Sequence, residues 1–350
     1  MIRRTFAADE QGVRTGSVAR LHGPRDVRVA PEPVPEPAPG EALVRVEAVG
    51  LCGSDLHWYE AAAIGDARLV APCVPGHELA GTVEGGPLAG RRVAIDPAVP
   101  CARPDCRPCR EGHPNLCPAV RFAGHGDCDG GLREYMAWPE RALHPLPDGF
   151  DAITGALLEP LGVALHAVDL GHVRLGACAA VVGCGPIGLL LIQALRAAGA
   201  RVAVAVDPLE HRRVAAAGCG AQVVVAPADV ADRAIEPVDV AFEAAGTDDA
   251  VAEAIALARP GARVVLAGIP DDDRTAFPAS AARRKGLTLV LVRRMKDAYP
   301  RAIRLVAAGE VDLPRLVTHR LALGQAGDAF ALAAAREGLK VVVLPGERAM

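Results

Sequence analysis

A short stretch near the amino terminus combines residue types that bind metal with residue types that move protons. The motif Cys-Gly-Ser-Asp-Leu-His begins at Cys52, and Gly-His-Glu follows with His77 at its centre. A catalytic zinc is typically held by three protein ligands, and its fourth position stays open. Cys52 and His77 would supply a thiolate and an imidazole. We expect the carboxylate to be Glu159, in Leu-Glu-Pro-Leu-Gly, with Glu78 as its competitor.

The same motif contains residues suited to proton transfer. A zinc ion would polarise an alcohol oxygen and lower its pKa, so that the hydroxyl proton can leave. Ser54 is expected to take the alcohol proton, and His57 to carry it outward, because imidazole exchanges protons near neutral pH. Asp55 is expected to orient a ligating imidazole, as carboxylates commonly do in histidine–metal sites.

A second group of metal-binding residues lies in a stretch rich in proline and glycine. Cys101, Cys106, Cys109 and Cys117 fall within 17 residues, and four soft ligands at short spacing are typical of a closed, structural zinc site. The alternative is two disulfides or separate thiols, which a reducing compartment disfavours.

A glycine-rich motif indicates a nucleotide site in the second half of the chain. Residues 183–188 fit G-x-G-x-x-G between a β run and a helical pattern. Asp207 is placed to bind the adenosine ribose and favours NAD, whereas Arg212 and Arg213 leave NADP as an alternative. A tight turn without nucleotide is the other alternative. The predicted cofactor-binding residues are Gly183, Gly185, Pro186, Ile187, Gly188, Asp207, Arg212, Gly268 and Arg294.

The composition favours small-molecule chemistry in a protein of two domains. The chain has 350 residues, 51% of them hydrophobic, and a net charge of −4. The length and the hydrophobic content are more than one small core needs. The negative net charge argues against nucleic acid as a partner. The pattern shows no secretion signal and no membrane-spanning run, so we expect a cytoplasmic protein. Only three of the 38 basic residues are lysines, which we attribute to genome bias.

The order of predicted elements indicates two different folds along the chain. Short β runs separated by glycine and proline continue to about residue 165 and predict an irregular, barrel-like domain. From about residue 178, strands alternate with helices, which predicts an α/β doubly wound parallel sheet of the Rossmann type.

With these motifs in this order, the chain resembles the zinc-dependent medium-chain dehydrogenase/reductase family, in particular its sorbitol (L-iditol 2-) dehydrogenase-like branch. The resemblance implies that Cys52, His77 and Glu159 hold the catalytic zinc, with Glu78 as a fourth or exchanging ligand. It also implies a GroES-like catalytic domain over 1–165 and 305–350, in which 1–16 form a loosely ordered extension. The Rossmann domain would then be an insertion over 166–304.

The resemblance further implies residues that contact the substrate. Trp58, Phe122 and Arg294 match such positions, and Glu159 lies at the same site. His125 has no counterpart in the family pattern, and we weigh it equally as a substrate contact and as a surface histidine. The sequence also departs from the family in the first gap of the cysteine cluster, which has four residues instead of two. Cys101 would therefore bind with an altered loop geometry or not bind at all.

These inferences predict a zinc-dependent oxidoreductase that transfers hydride between NAD and the secondary alcohol of a polyol, sugar or cyclitol. A threonine or glucose dehydrogenase of the same family is one alternative. A zinc-stabilised NAD-binding sensor without catalysis is another, but such a protein would not need the proton path of Ser54 and His57. We expect a homodimer or homotetramer.

Overall fold

The computed structural model describes residues 13–347 and divides into two compact units. The first comprises the chain up to Glu159 together with Val317 onward, and the second is Pro160–Leu316. These divisions differ from the predicted boundaries at 165 and 305. One division falls between Glu159 and Pro160, inside a helix that continues through the proline because this residue lies in its first turn. Most of the expected amino-terminal extension, residues 1–12, lies outside the described residues, and the first strand begins at Thr15.

The first unit is built on one mixed sheet with small two-stranded ribbons beside it. The strands of this unit are β1 Thr15–Gly23, β2 Asp26–Pro33, β3 Glu41–Gly50, β4 Ala63–Ile64, β5 Ala67–Arg68, β6 Glu78–Val83, β7 Arg92–Ile95, β8 Ala98–Val99, β9 Arg121–Phe122, β10 Tyr135–Pro139, β11 Leu143–Pro145, β18 Val317–Ala322 and β19 Lys340–Leu344. The strand order of the sheet is β11-β7-β6-β3-β19-β18, and β10 also pairs with β3. Buried and less buried residues alternate along β3, as expected when one face of a strand packs on a core. The predicted series of short, irregular strands is confirmed.

The two longest helices are α4 Leu158–Leu170 and α5 Pro186–Ala197. In chain order the helices are α1 Gly53–Ala61, α2 Arg107–Arg110, α3 Ala152–Ala156, α4 Leu158–Leu170, α5 Pro186–Ala197, α6 Glu210–Cys219, α7 Asp248–Leu257, α8 Ala279–Lys285, α9 Tyr299–Ala307 and α10 Ala326–Ala334. The stretch Ala152–Leu170 is long and apolar enough to cross a membrane, but 83% of it is buried inside the protein. That burial is typical of a core helix.

The second unit is a six-stranded sheet in which every neighbouring pair is parallel. Its strands are β12 Cys178–Val182, β13 Arg201–Val206, β14 Val223–Val225, β15 Val238–Glu243, β16 Ala258–Leu266 and β17 Thr288–Leu291. Their order, β14-β13-β12-β15-β16-β17, is the 3-2-1-4-5-6 order of a dinucleotide-binding sheet. Strands buried on both faces read as continuous apolar runs, which is why valine and alanine dominate β12 and β13. The predicted doubly wound sheet is confirmed.

Candidate functional site

The first motif of the site lies where β3 gives way to α1. Cys52 occupies the N-cap position of α1. The Asp55 carboxylate accepts hydrogen bonds from the Cys52 N–H at 3.0 Å and from the Gly76 N–H at 3.1 Å. Asp55 is fully buried, and it therefore ties the start of α1 to the loop that carries the second motif.

His77 lies between two polar groups of α1. Its Nδ1 is 3.5 Å from Asp55 Oδ1, and its Nε2 is 3.5 Å from Ser54 Oγ. The ring of Phe122 is tilted against the imidazole, with 5.4 Å between ring centroids. A carboxylate on one ring nitrogen fixes the imidazole and leaves the opposite nitrogen for a metal.

Three of the predicted ligands form a group that fits a metal ion. Ligand atoms of Cys52, His77 and Glu78 all lie within 4.8 Å of one another. Glu78 Oε2 is buried and forms an ion pair with the Lys340 ammonium, but it accepts no aligned hydrogen bond and so has capacity for a further partner. The donor set of sulfur, nitrogen and oxygen suits zinc. The structure places Glu78 in this group, whereas Glu159 is outside it.

Burial and nearby charges make the group attractive to a cation. Burial opposes charge on His77, but Asp55 and Cys52 raise the pKa of His77 well above its usual value. Burial also raises the pKa of Glu159 to about 8, against the opposing effect of His77. The charges of Asp55 and Cys52 favour positive charge at the His77 position, and a bound metal ion would supply such charge.

Lys340 is the member of the site that the sequence did not identify. Its Nζ donates hydrogen bonds to Glu78 Oε1 at 2.6 Å and to the Leu51 carbonyl at 2.8 Å. Burial opposes its charge, but Glu78 raises the pKa of Lys340. The available signal was the rarity of lysine among the basic residues, which we attributed to genome bias.

The other predicted residues of the first unit lie on α1 and on the loop after β9. His57 is one helical turn beyond Ser54 on α1 and is half-buried. Trp58 is only 1% exposed. Its ring packs edge-on against His125, with 5.3 Å between centroids. His125 therefore belongs to the same side-chain cluster as the aromatic residue expected to contact substrate.

All four cysteines of the second group lie together. Their sulfur atoms are within 4.8 Å of one another, and the pairs Cys101–Cys109 and Cys106–Cys117 are each 4.0 Å apart. Thiolates about 2.3 Å from a tetrahedral zinc would be about 3.8 Å apart. The long first gap is accommodated by a left-handed turn at Ala102, with φ 51°, which returns Cys101 to the cluster. All ten cysteines are free thiols, so the alternative of two disulfides is not the arrangement in this structure.

In the second unit, the glycine-rich loop forms a cradle that side chains would fill. Gly183 has φ 91°, and a Cβ there would meet the backbone of Ala244 and Ala245. A Cβ on Gly188 would collide with the carbonyl of Gly183. Pro186 begins α5, where its missing N–H costs nothing, and Ile187 follows it at the amino end of the helix. The loop thus has the close packing that lets backbone N–H groups approach a pyrophosphate.

Asp207 follows β13 and supports this loop through both carboxylate oxygens. Oδ2 accepts the Cys184 N–H at 2.8 Å, and Oδ1 accepts the Leu209 N–H at 2.9 Å. Arg212 Nη1 lies 4.0 Å from the same carboxylate, whereas Arg213 donates to the carbonyls of Asp207 and Pro208. Of the two arginines, only Arg212 therefore has its guanidinium beside the carboxylate.

The remaining predicted cofactor residues lie at or beyond the carboxyl ends of later strands. Gly268 follows β16 and packs so closely on Gly246 that a Cβ would collide with the backbone there. Its close neighbour Glu243 accepts the N–H groups of Ala245 and Gly246, each at 2.6 Å. Arg294 has a left-handed backbone, with φ 55°, and lies in the segment between β17 and α9.

Comparison with known proteins gives two matching domain families and relatives that cover most of this chain. Residues 38–148 match the alcohol dehydrogenase GroES-like domain, and residues 186–308 match the zinc-binding dehydrogenase domain. Sorbitol dehydrogenase of Bacillus subtilis strain 168 is 33% identical, covering 93% of this chain and 96% of that protein. A probable D-xylulose reductase A of Aspergillus clavatus is 35% identical, covering 92% and 95%. The crystal structure of L-idonate 5-dehydrogenase from Escherichia coli superposes with a TM-score of 0.88 at 27% identity, covering 94% of this chain and 98% of that one.

Proposed function

Because this chain belongs to the family of zinc-binding alcohol dehydrogenases, we propose that it is an NAD-dependent dehydrogenase that oxidises a secondary alcohol of a polyol, sugar or cyclitol. The observation that carries the proposal is the group formed by Cys52, His77 and Glu78, whose ligand atoms lie within 4.8 Å of one another. Relatives named for sorbitol, D-xylulose and L-idonate support a polyhydroxylated substrate.

Cys52 and His77 would hold the metal together with one carboxylate. The structure favours Glu78 for that place, and Glu159 stays a candidate because it is close enough for His77 and Glu78 to influence its pKa. When bound, zinc would lower the pKa of an alcohol hydroxyl, and NAD would accept the hydride. The cysteine cluster around Cys106 would hold a second, structural zinc, because its four sulfur atoms leave no open position.

The residues of the chain have separate tasks in this reaction. Asp55 holds the His77 ring by its Nδ1 side and keeps its orientation fixed. Ser54 takes the proton of the substrate hydroxyl and passes it to His57, one turn along the same helix. Trp58, Phe122, His125 and Arg294 are proposed to contact the substrate.

The cofactor is bound by the second unit, and we propose NAD as the preferred form. The backbone of the loop around Gly185 would bind the pyrophosphate, and Asp207 would accept a hydrogen bond from the adenosine ribose. A 2′-phosphate would be repelled by this carboxylate. We further propose a cytoplasmic homodimer or homotetramer, which light scattering of the purified protein would test.

Initial rates over a panel of alcohols test the proposed function. The purified protein is supplied with NAD and with hexitols, cyclitols, simple secondary alcohols, threonine and glucose, and NADH formation is followed by absorbance. We expect the highest kcat/KM with a polyol or cyclitol. Turnover of threonine alone would contradict the proposal, and no turnover of any alcohol by zinc-loaded protein would favour a non-catalytic NAD-binding role.

A further inference from the structure

Lys340 and Glu78 form a buried ion pair at the edge of the proposed metal centre. The ammonium nitrogen lies 2.6 Å from Oε1 and 2.5 Å from Oε2 of the same carboxylate. The two side chains are 2% and 1% exposed. Water therefore screens the pair very little, and each buried charge is stabilised by the opposite charge of its partner.

The sheet places these two residues on opposite sides of one glycine. β6 and β19 both pair with β3, and Gly50 is opposite Glu78 on one side and Val342 on the other. A Cβ on Gly50 would collide with Glu78 Oε2 and would lie 3.1 Å from Lys340 Cε. Only glycine at this position leaves room for the ammonium to reach the carboxylate.

The carboxylate held by Lys340 is also the one grouped with Cys52 and His77. A metal bound by Cys52 and His77 would attract the Glu78 carboxylate. The ammonium of Lys340 attracts the same carboxylate. A carboxylate held firmly by the metal would help to close the position that a substrate needs. An ammonium on a flexible stem is a point charge that can follow a moving carboxylate, whereas the planar guanidinium of arginine favours a fixed, bidentate pair. This difference explains why position 340 has a lysine in a chain whose basic residues are almost all arginines.

We propose that Lys340 is a positioning residue of the metal centre, which shares the Glu78 carboxylate with the metal and keeps that ligand exchangeable. The inference depends on the proposed metal centre, but it does not depend on which alcohol is oxidised. Without Lys340, the metal attracts Glu78 with no competing cation beside it, and the ion is released more slowly.

Zinc release from the full-length, zinc-loaded protein tests this role. The protein is mixed with excess 4-(2-pyridylazo)resorcinol, and the phase of release that is absent from Cys52→Ala is assigned to the catalytic site. We expect Lys340→Met to slow this phase at least about tenfold, the scale on which partners of metal ligands act. In the Glu78→Gln background, Lys340→Met should leave the rate within about twofold, because the shared carboxylate is gone.

Lys285→Met is the matched control. Lys285 donates to the carbonyls of Ile255, Ala256 and Ala258 at 2.7 to 2.9 Å, so its loss removes an anchored lysine without touching Glu78. Release at the wild-type rate is expected, and slowed release would overturn the assignment to Lys340.

Several outcomes would overturn the proposal. One is that Lys340→Met releases zinc as fast as the wild type or faster. Another is that Lys340→Met still slows zinc release in the Glu78→Gln background. If Lys340→Met does not fold, zinc release from Glu78→Gln alone tests the proposal. Release should be faster than from the wild type, because the metal has lost the shared carboxylate. An unchanged rate overturns the proposal. If Cys52→Ala retains every phase of release, the metal centre itself is wrong, which distinguishes that failure from failure of the role of Lys340.

Discussion

Nδ1 of His77 lies 3.5 Å from Oδ1 of Asp55, and the same carboxylate accepts backbone N–H groups from Cys52 and Gly76. One buried side chain thus fixes both the ring that is proposed to bind the metal and the two segments that carry the ligands. The Asp55 carboxylate therefore holds the His77 imidazole in one orientation.

Asp55→Asn is expected to weaken metal binding at the catalytic site by about 10- to 100-fold. Only one of the two terminal atoms of an asparagine amide can accept hydrogen bonds. One backbone N–H therefore loses its acceptor, and the His77 ring is held less firmly. Competition with a chromophoric chelator measures the affinity. Asp151→Asn is the control, because the Asp151 carboxylate caps the start of α3 by accepting the Thr154 N–H. Unchanged affinity in Asp55→Asn would show that the carboxylate does not support the ligand.

Glu159 should make the metal-free protein less stable as the pH rises. Burial raises its pKa from 4.5 to about 8, so between these values the folded protein holds a proton that the unfolded chain has lost. The contribution of Glu159 to the free energy of unfolding is therefore fully present below pH 4.5 and is lost as the pH rises to about 8. His77, whose pKa is also raised, contributes a change of the same sign.

Thermal unfolding of metal-free protein from pH 5 to pH 8 measures this effect. The melting temperature should fall with pH in the wild type, and less steeply in Glu159→Gln, which cannot titrate. Equal slopes in the two proteins would mean that the Glu159 carboxyl is not destabilised by burial.

Cys101→Ser should remove one of about two zinc ions per chain without emptying the catalytic site. Cys101 lies in the four-sulfur cluster, 4.0 Å from Cys109, and its loss opens a closed tetrahedron. Metal analysis after gel filtration gives the stoichiometry. Cys178→Ser, which changes a thiol outside both clusters, should retain both ions. Retention of both ions by Cys101→Ser would mean that this cysteine is not a ligand.

Asp207→Ala should weaken NAD binding about tenfold or more and reduce the preference over NADP. The variant removes the proposed ribose contact and leaves the N–H groups of Cys184 and Leu209 without their acceptor. Isothermal titration with each nucleotide provides the affinities. Asp239→Asn is a matched control, because Asp239 also accepts a backbone N–H, that of Cys178, but at the amino end of the strands. An equal loss of affinity in the control would indicate a general effect on the sheet.

Much of the fold was predictable because its signals are local. The apolar run Cys178–Val182 is β12 itself, and the glycine motif after it begins α5 where the pattern indicates. The position of Asp207 after the second strand follows from the same unit. Each of these inferences depends on residues within one βαβ unit, in which sequence neighbours are also neighbours in space.

The contacts between distant segments were not predictable in this way. Lys340 is 262 residues from Glu78 and 289 from Leu51, and no periodicity links them. The choice between Glu78, at the start of β6, and Glu159, in the first turn of α4, likewise depends on which of them lies beside Cys52, and a motif does not contain that information. The boundary at Pro160 was not predicted, because α4 continues through Pro160 and Gly162 and the change of unit depends on contacts between distant segments.

The most direct measurement for the whole account is the activity and nucleotide binding of Cys52→Ala. Cys52 contributes the only sulfur ligand to the group with His77 and Glu78, and it lies in a different compact unit from the glycine-rich loop. We expect the variant to lose polyol oxidation, to lose the catalytic-site zinc, and to bind NAD with an affinity within about twofold of wild type. Retained turnover in protein shown to lack that zinc would contradict the metal-dependent reaction proposed for this chain.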